Sequence, residues 1–156
     1  MNVNGPLSSV ASGPVLWDVT FAFQQAARYD DIEDLINLAS TGLSLDSMDS
    51  EGRTALHMAS ANGHVDIVDY LISNRVFAVK DVNSSNAEKN TPLHWACLNG
   101  HVEIVKRLIL AGGSVSAVNS HERTPVDEAV HAGKMEVIDA INTVEAQVEL
   151  ASASFS

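Results

Sequence analysis

Six histidines and one cysteine are the side chains of this sequence with the most obvious capacity for chemistry. His94 and Cys97 lie three residues apart, a spacing at which an imidazole and a thiolate can share a zinc ion. Zinc needs further ligands, however, and no second pair at ligand spacing accompanies them. His64 and His101 directly follow Gly63 and Gly100 and read as turn residues between helices. Cys97, beside Ala96, reads as a small buried hydrophobe, not a nucleophile. Carboxylates are plentiful, yet none is tied by local spacing to a base or a metal. No glycine-rich phosphate loop, paired-histidine metalloprotease motif or nucleophile elbow occurs. No catalytic residue, metal or cofactor is therefore expected. An enzyme is not the reading these residues support.

The segments that must position these side chains repeat along the chain. Thr54 to His64 (TALHMASANGH), Thr91 to His101 (TPLHWACLNGH) and the worn copy Thr124 to Lys134 (TPVDEAVHAGK) are in register. Thr54, Thr91 and Thr124 recur at a spacing of roughly 33 residues, the first interval being the longer, and Gly63, Gly100 and Gly133 keep both intervals. Self-similarity at such a period marks stacked units that each touch mainly their neighbours. Each threonine suits a helix N-cap, where its hydroxyl accepts a bond from an otherwise unpaired amide. Pro92 and Pro125 follow at the first helical position, where a missing N–H is harmless, and Ala55 stands there in the earlier copy. Each glycine then supplies the left-handed conformation that ends a short first helix. In the second helices Val68, Leu71 and Ile72, and likewise Val105, Leu108 and Ile109, form one apolar stripe at i, i+3, i+4. Ala59, Ala96 and Ala129 recur inside the first helices, where a small side chain lets neighbouring units approach. A helix pair this short cannot bury its own stripe, so stacking is required.

The 156 residues amount to one domain, 46 % hydrophobic, with no apolar run near the roughly 18–20 residues of a membrane span. Residues 1–15, rich in Ser, Gly, Asn and Pro, are expected to be a disordered leader. One cysteine permits no internal disulfide, in keeping with a cytoplasmic or nuclear setting. Nine Lys and Arg against twenty Asp and Glu give a net charge of −11. Such a field repels phosphate backbones, so direct nucleic-acid binding is disfavoured. It attracts basic proteins, although an acidic surface also serves plain solubility.

The pattern of threonine, proline, leucine and histidine, then alanine, Gly-His, Ile-Val and leucine resembles the ankyrin repeat. The resemblance implies an all-α solenoid of helix-turn-helix units with projecting turns, over residues 16–143. Its units are a degenerate first one (16–48), a second with a lengthened loop (49–85), a third (86–118) and a last (119–143). Residues 144–156 follow as a helical extension or frayed tail. In the first unit Ala26 stands one repeat before Ala59, and Asp30 stands where the glycine belongs; Asp tolerates the left-handed region better than most. The motif positions are Thr54, His57, Gly63, Thr91, His94, Gly100, Thr124 and Gly133. There His57 and His94 are implied to hydrogen-bond between adjacent turns. Projecting turns fall near Asp49–Arg53, Glu88–Asn90 and Asn119–Arg123; Lys89 and Glu122 replace the turn glycine, so the last two are expected to be less regular. The four-residue insertion within 75–90 is either an inert lengthening, which chain entropy tolerates, or a contact loop.

The resemblance further implies that the first helices line a concave, protein-binding face. Its outward positions are Gln25, Arg28 and Tyr29, then Met58, Ala61 and Asn62. Trp95, Leu98 and Asn99, then Glu128 and His131, complete the row. Glu51, Arg53, Glu88 and Glu122 on the turns would give the apolar centre of Met58, Trp95 and Leu98 an acidic margin. Large apolar side chains left outside mark a covered surface, the alternative being that Trp95 packs as core. Asp127 and Glu128, in place of the motif histidine and its neighbour, are expected to face solvent. Trp95 within LHWACLNGH, the lengthened loop and the acidity are together similar to a small family of ankyrin-repeat chaperones that escort a basic small-subunit ribosomal protein. The competing expectation is a signalling or assembly adaptor with a non-basic partner. In either case the chain is expected to be monomeric alone.

Overall fold

The computed structural model describes residues 16–73 and 81–153. The expected leader and part of the lengthened loop, residues 74–80, lie outside them. Among the described residues the chain is all helical. Its helices are α1 (Leu16–Arg28), α2 (Ile32–Ala39), α3 (Ala55–Asn62), α4 (Val65–Ser73), α5 (Pro92–Asn99), α6 (Val102–Leu110), α7 (Pro125–Ala132) and α8 (Met135–Ala153). They pair in order, α1 with α2 through α7 with α8, and the pairs stack in a row as a solenoid. None of them is long and apolar enough to cross a membrane.

Local chemistry sets the ends of the inner helices α3, α5 and α7. Thr54, Thr91 and Thr124 each accept a bond from the amide three residues on, and the side chains of His57, His94 and Asp127 return a bond to the threonine amide. Gly63, Gly100 and Gly133 close the helices at φ 80°, 77° and 71°. Asp30 takes the same left-handed conformation, φ 60°, after α1.

Ala59, Ala96 and Ala129 are fully buried. With no side chain beyond Cβ they allow α1, α3, α5 and α7 to pack closely, whereas the outer helices α2, α4 and α6 stand further apart. The row therefore bends toward its inner side. Between the two rows lies a continuous core of Leu35, Ile67, Val68, Leu71, Ile104, Val105, Leu108, Val137 and Ile141. Each such side chain contributes about 1.5–3 kcal/mol by leaving water. Ile67 and Ile104 widen the stripe read from the sequence, because α4 and α6 touch both their own inner helix and the next outer one.

The projecting turns are more regular than their sequences suggest. In each, a first side chain accepts two amides: Asp49 from Glu51 and Arg53, Asn86 from Glu88 and Asn90, Asn119 from His121 and Arg123. Gly52, Lys89 and Glu122 share one left-handed conformation, φ 76°, 64° and 61°. The expected irregularity at Lys89 and Glu122 is thus corrected: the paired amides and the contacts between turns hold a non-glycine residue in place. Those contacts run from the Ala87 amide to the Glu51 carbonyl (2.8 Å) and from the Ser120 amide to the Glu88 carbonyl (2.9 Å). Relief of left-handed strain, less the extra freedom glycine brings to the unfolded chain, makes Lys89→Gly and Glu122→Gly stabilising by about 0.5–1 kcal/mol each. Chemical denaturation of both variants checks this, and a loss of stability would contradict it.

Candidate functional site

A polar relay fixes the inner face. His57 Nδ1 faces the Thr54 amide (3.2 Å) and hydroxyl (2.9 Å), both donors, so its proton sits on Nε2, which donates to the Asn90 carbonyl at 2.8 Å. His94 repeats the arrangement, with Nε2 donating to the Arg123 carbonyl at 2.9 Å. Gln24, one repeat before His57, does the same in the first unit, donating to the Arg53 carbonyl at 2.6 Å. Each inner helix thus holds the turn of the next unit. A second set of bonds runs backward: His64 Nε2 donates to the Arg28 carbonyl (2.7 Å) and His101 Nε2 to the Ala61 carbonyl (3.1 Å). Four of the six histidines are committed to joining units. Burial lowers the His57 pKa from its ordinary 6.5 to about 4 and lowers that of His94 as well. Cys97 is fully buried, and burial pushes its thiol up to about 12, far from a nucleophile.

The residues expected to bind a partner fall into three groups. Tyr29, Glu51, Asn62, Glu88, Leu98, Asn99, Glu122 and His131 are exposed. Gln25, Arg28, Arg53, Ala61 and Trp95 are half-buried. Met58 and Glu128 are not on the surface at all, at 5 % and 8 % exposure. Met58 lies in the core between α1 and α5, since α3 is packed on both flanks. Glu128, expected to face solvent, accepts a bond from Asn119 Nδ2 (2.8 Å) and pairs with Arg123 (3.5 Å). Asn119 Nδ2 also reaches Asn90 Oδ1 at 2.8 Å, so this carboxylate locks the last turn to the one before it. It is a structural acid.

Trp95 is neither a free anchor nor plain core. Its ring stands edge-on to the His57 imidazole, centroids 5.2 Å apart at 73°, and covers the relay while leaving part of itself outside. Leu98 beside it is 39 % exposed. On the turns, Arg53 is engaged by Asp49 (2.7 Å) and Glu51 (3.3 Å), and Arg123 by Glu128. Burial opposes ionisation of Asp49, but the Arg53 and Glu51 amides and the Arg53 guanidinium hold its carboxyl below the usual range. Glu88 and Glu122 remain exposed, with no basic side chain bonded to them among the described residues. On α5 Leu98 is exposed and Trp95 half-buried, and the turns 86–90 and 119–123 carry the exposed carboxylates Glu88 and Glu122.

Phe21 and Met48 are among the exposed apolar residues that the sequence did not single out. Phe21 and Met48 line a depression of about 260 Å³ with Thr20, Asp49 and Ser50 at the first-unit end of this face. Phe21 stands one repeat before Thr54, yet α1 is already under way there, having begun at Leu16. That register flags a helix running on where other units place a turn. The side-chain bonds of Asn86, Asn90 and Asn119 within and between the turns were not read from the sequence, although Asp49, Asn86 and Asn119 keep the same two intervals as the capping threonines.

A family model described as ankyrin repeats (3 copies) matches residues 23–117 and 76–150. The chain is also 48 % identical over 96 residues to an ankyrin repeat-containing protein of Schizosaccharomyces pombe, a match covering 61 % of this chain and 64 % of that relative.

Proposed function

Because the chain belongs to the ankyrin-repeat family, whose repeats serve as protein–protein interaction modules, we propose that its inner face binds a basic segment of a protein partner. The observation that carries this reading is the half-buried Trp95 and exposed Leu98 on α5, together with exposed carboxylates at Glu88 and Glu122 on the projecting turns, in a chain of net charge −11. A partial aromatic anchor with a charged rim is the usual composition of a binding hot spot. Tyr29, Asn62 and Asn99 extend the surface, and Phe21 and Met48 add an apolar site at one end. A basic ribosomal protein, shielded by this face before it meets RNA, has the chemistry required. A cytoplasmic or nuclear site of action accompanies that proposal.

Affinity purification of the full chain from cell extract, at low and raised salt, tests it. A basic protein recovered at low salt and released as salt rises supports the proposal; a neutral partner retained at high salt rejects it in favour of a general adaptor. Once the partner is in hand, Trp95→Ala is expected to weaken binding by about 2 kcal/mol. It also lowers stability, because the ring covers His57. Leu98→Ala separates the two effects: binding falls while the unfolding midpoint holds. Unchanged affinity in both folded variants would remove this face from the interaction.

A further inference from the structure

Helix α8 outgrows the stack. The outer helices α2, α4 and α6 span 8, 9 and 9 residues, whereas α8 spans 19. Its apolar stripe runs Val137, Ile141, Val144 and Val148, a spacing of four, three and four residues. The first three are buried, the stripe running along α6. Helix α6 ends at Leu110, and Val148, further on, is 43 % exposed. The stripe thus continues past the helix that covers its first half.

Beside Val148 lies a groove of about 410 Å³, walled by Ile109 and Val115, floored by Gly112 and Gly113, and edged by Glu145 and Glu149. Its floor is held from the preceding unit. Asn83, in the described part of the lengthened loop, donates from Nδ2 to the Gly112 carbonyl (3.0 Å) and accepts the Ser114 amide at Oδ1 (2.7 Å). A side chain at Gly113 would strike the Leu108 carbonyl at 2.7 Å, so the backbone runs bare there. Helix α8 carries Glu136, Asp139, Glu145 and Glu149 and no lysine or arginine.

We infer that this groove is a second docking surface, on the outer row, for an amphipathic helix of a basic protein partner. Continuity decides the shape: a stripe already covered by α6 at helix-packing intervals is extended by another helix in the same row. Charge decides the sign, since lysines or arginines beside the partner's apolar stripe would meet Glu145 and Glu149. A second copy of α8 would bring only carboxylates to carboxylates. The surface is separate from the inner face, so either assignment can fail without the other.

The test titrates the full chain with two synthetic amphipathic helical peptides of one leucine pattern, one lysine-bearing and one glutamate-bearing, and maps amide exchange. The lysine peptide is expected to bind saturably and protect 109–115 and 144–153, while the glutamate peptide does not bind. Val148→Asp and the double variant Glu145→Lys/Glu149→Lys should each weaken binding about tenfold or more, and Glu33→Lys, an exposed carboxylate on α2 in neither surface, should leave it unchanged. If Val148→Asp lowers the melting temperature, the double variant, altering only exposed side chains, decides. Absence of saturable binding, protection confined to the inner helices, equal binding of both peptides, or a self-dimer abolished by Val148→Asp would each overturn the inference.

Discussion

Gly63→Val is expected to lower stability by about 3–4 kcal/mol, and Gly133→Val by only about 1–2. Both force a β-branched residue into the left-handed region, which costs about 1–2 kcal/mol. At Gly63 there is a second obstacle. A Cβ would lie 2.8 Å from the His101 ring, which is pinned by its bond to the Ala61 carbonyl. Displacing it adds an overpacking penalty of about 1–3 kcal/mol and breaks a link between units. At Gly133 nothing lies within 4 Å. At Gly100 the neighbour is the flexible Lys134 side chain at 3.0 Å, so that variant falls between the two. Urea unfolding of the three proteins gives the order directly. Equal losses at 63 and 133 would mean that the backward histidine bond does not constrain the stack.

The second large effect is acid sensitivity from the buried relay. The His57 pKa is about 4 folded against 6.5 when free, with burial as the main cause. Its Nδ1 also faces two donors, leaving no acceptor for a second proton. Between those values the unfolded chain binds the extra proton and the folded chain does not. Stability therefore rises with pH through this window: it is fully present above about 6.5 and lost as pH falls toward 4. A displacement of that size corresponds to about 3 kcal/mol from His57, and His94 acts in the same direction. Unfolding free energies measured across this range should fall steeply in the parent and less steeply in His57→Asn, which titrates one imidazole fewer. Parallel slopes would contradict the assignment.

Periodic features are legible in the sequence because they depend on neighbours in the chain. Thr54, Thr91 and Thr124 cap their helices through an amide three residues away, and Gly63, Gly100 and Gly133 act through their own φ. The forward bonds of His57 and His94 came from the family resemblance and are present. Exposure was harder. Met58, Trp95 and Glu128 share one position in three units yet differ in burial, because each is set by what the adjacent unit places beside it. Glu128 is drawn inward by Asn119 and Arg123, Trp95 leans on His57, and Met58 sits in the core. Local spacing carries none of this. The backward bonds of His64 and His101, to carbonyls 36 and 40 residues away, were equally out of reach. Lys89 and Glu122 show the converse: their composition argued against the turn, and the amide network imposed it.

The two surfaces have different physical origins. The inner face exists because alanines draw α3, α5 and α7 together and leave Trp95 and Leu98 at the edge of that packing. The outer groove exists because α8 continues after its neighbour stops. Both are proposed to take basic partners, so binding at either should weaken with salt.

Amide hydrogen exchange on the full chain, free and saturated with the partner recovered at low salt, tests the central claim most directly. Protection concentrated in 95–99 and in the turns 49–53, 86–90 and 119–123, and lost again as salt is raised, is the result expected of an acidic inner face. Protection confined to α4 and α6 on the outer row, with those turns exchanging as in the free protein, would contradict it.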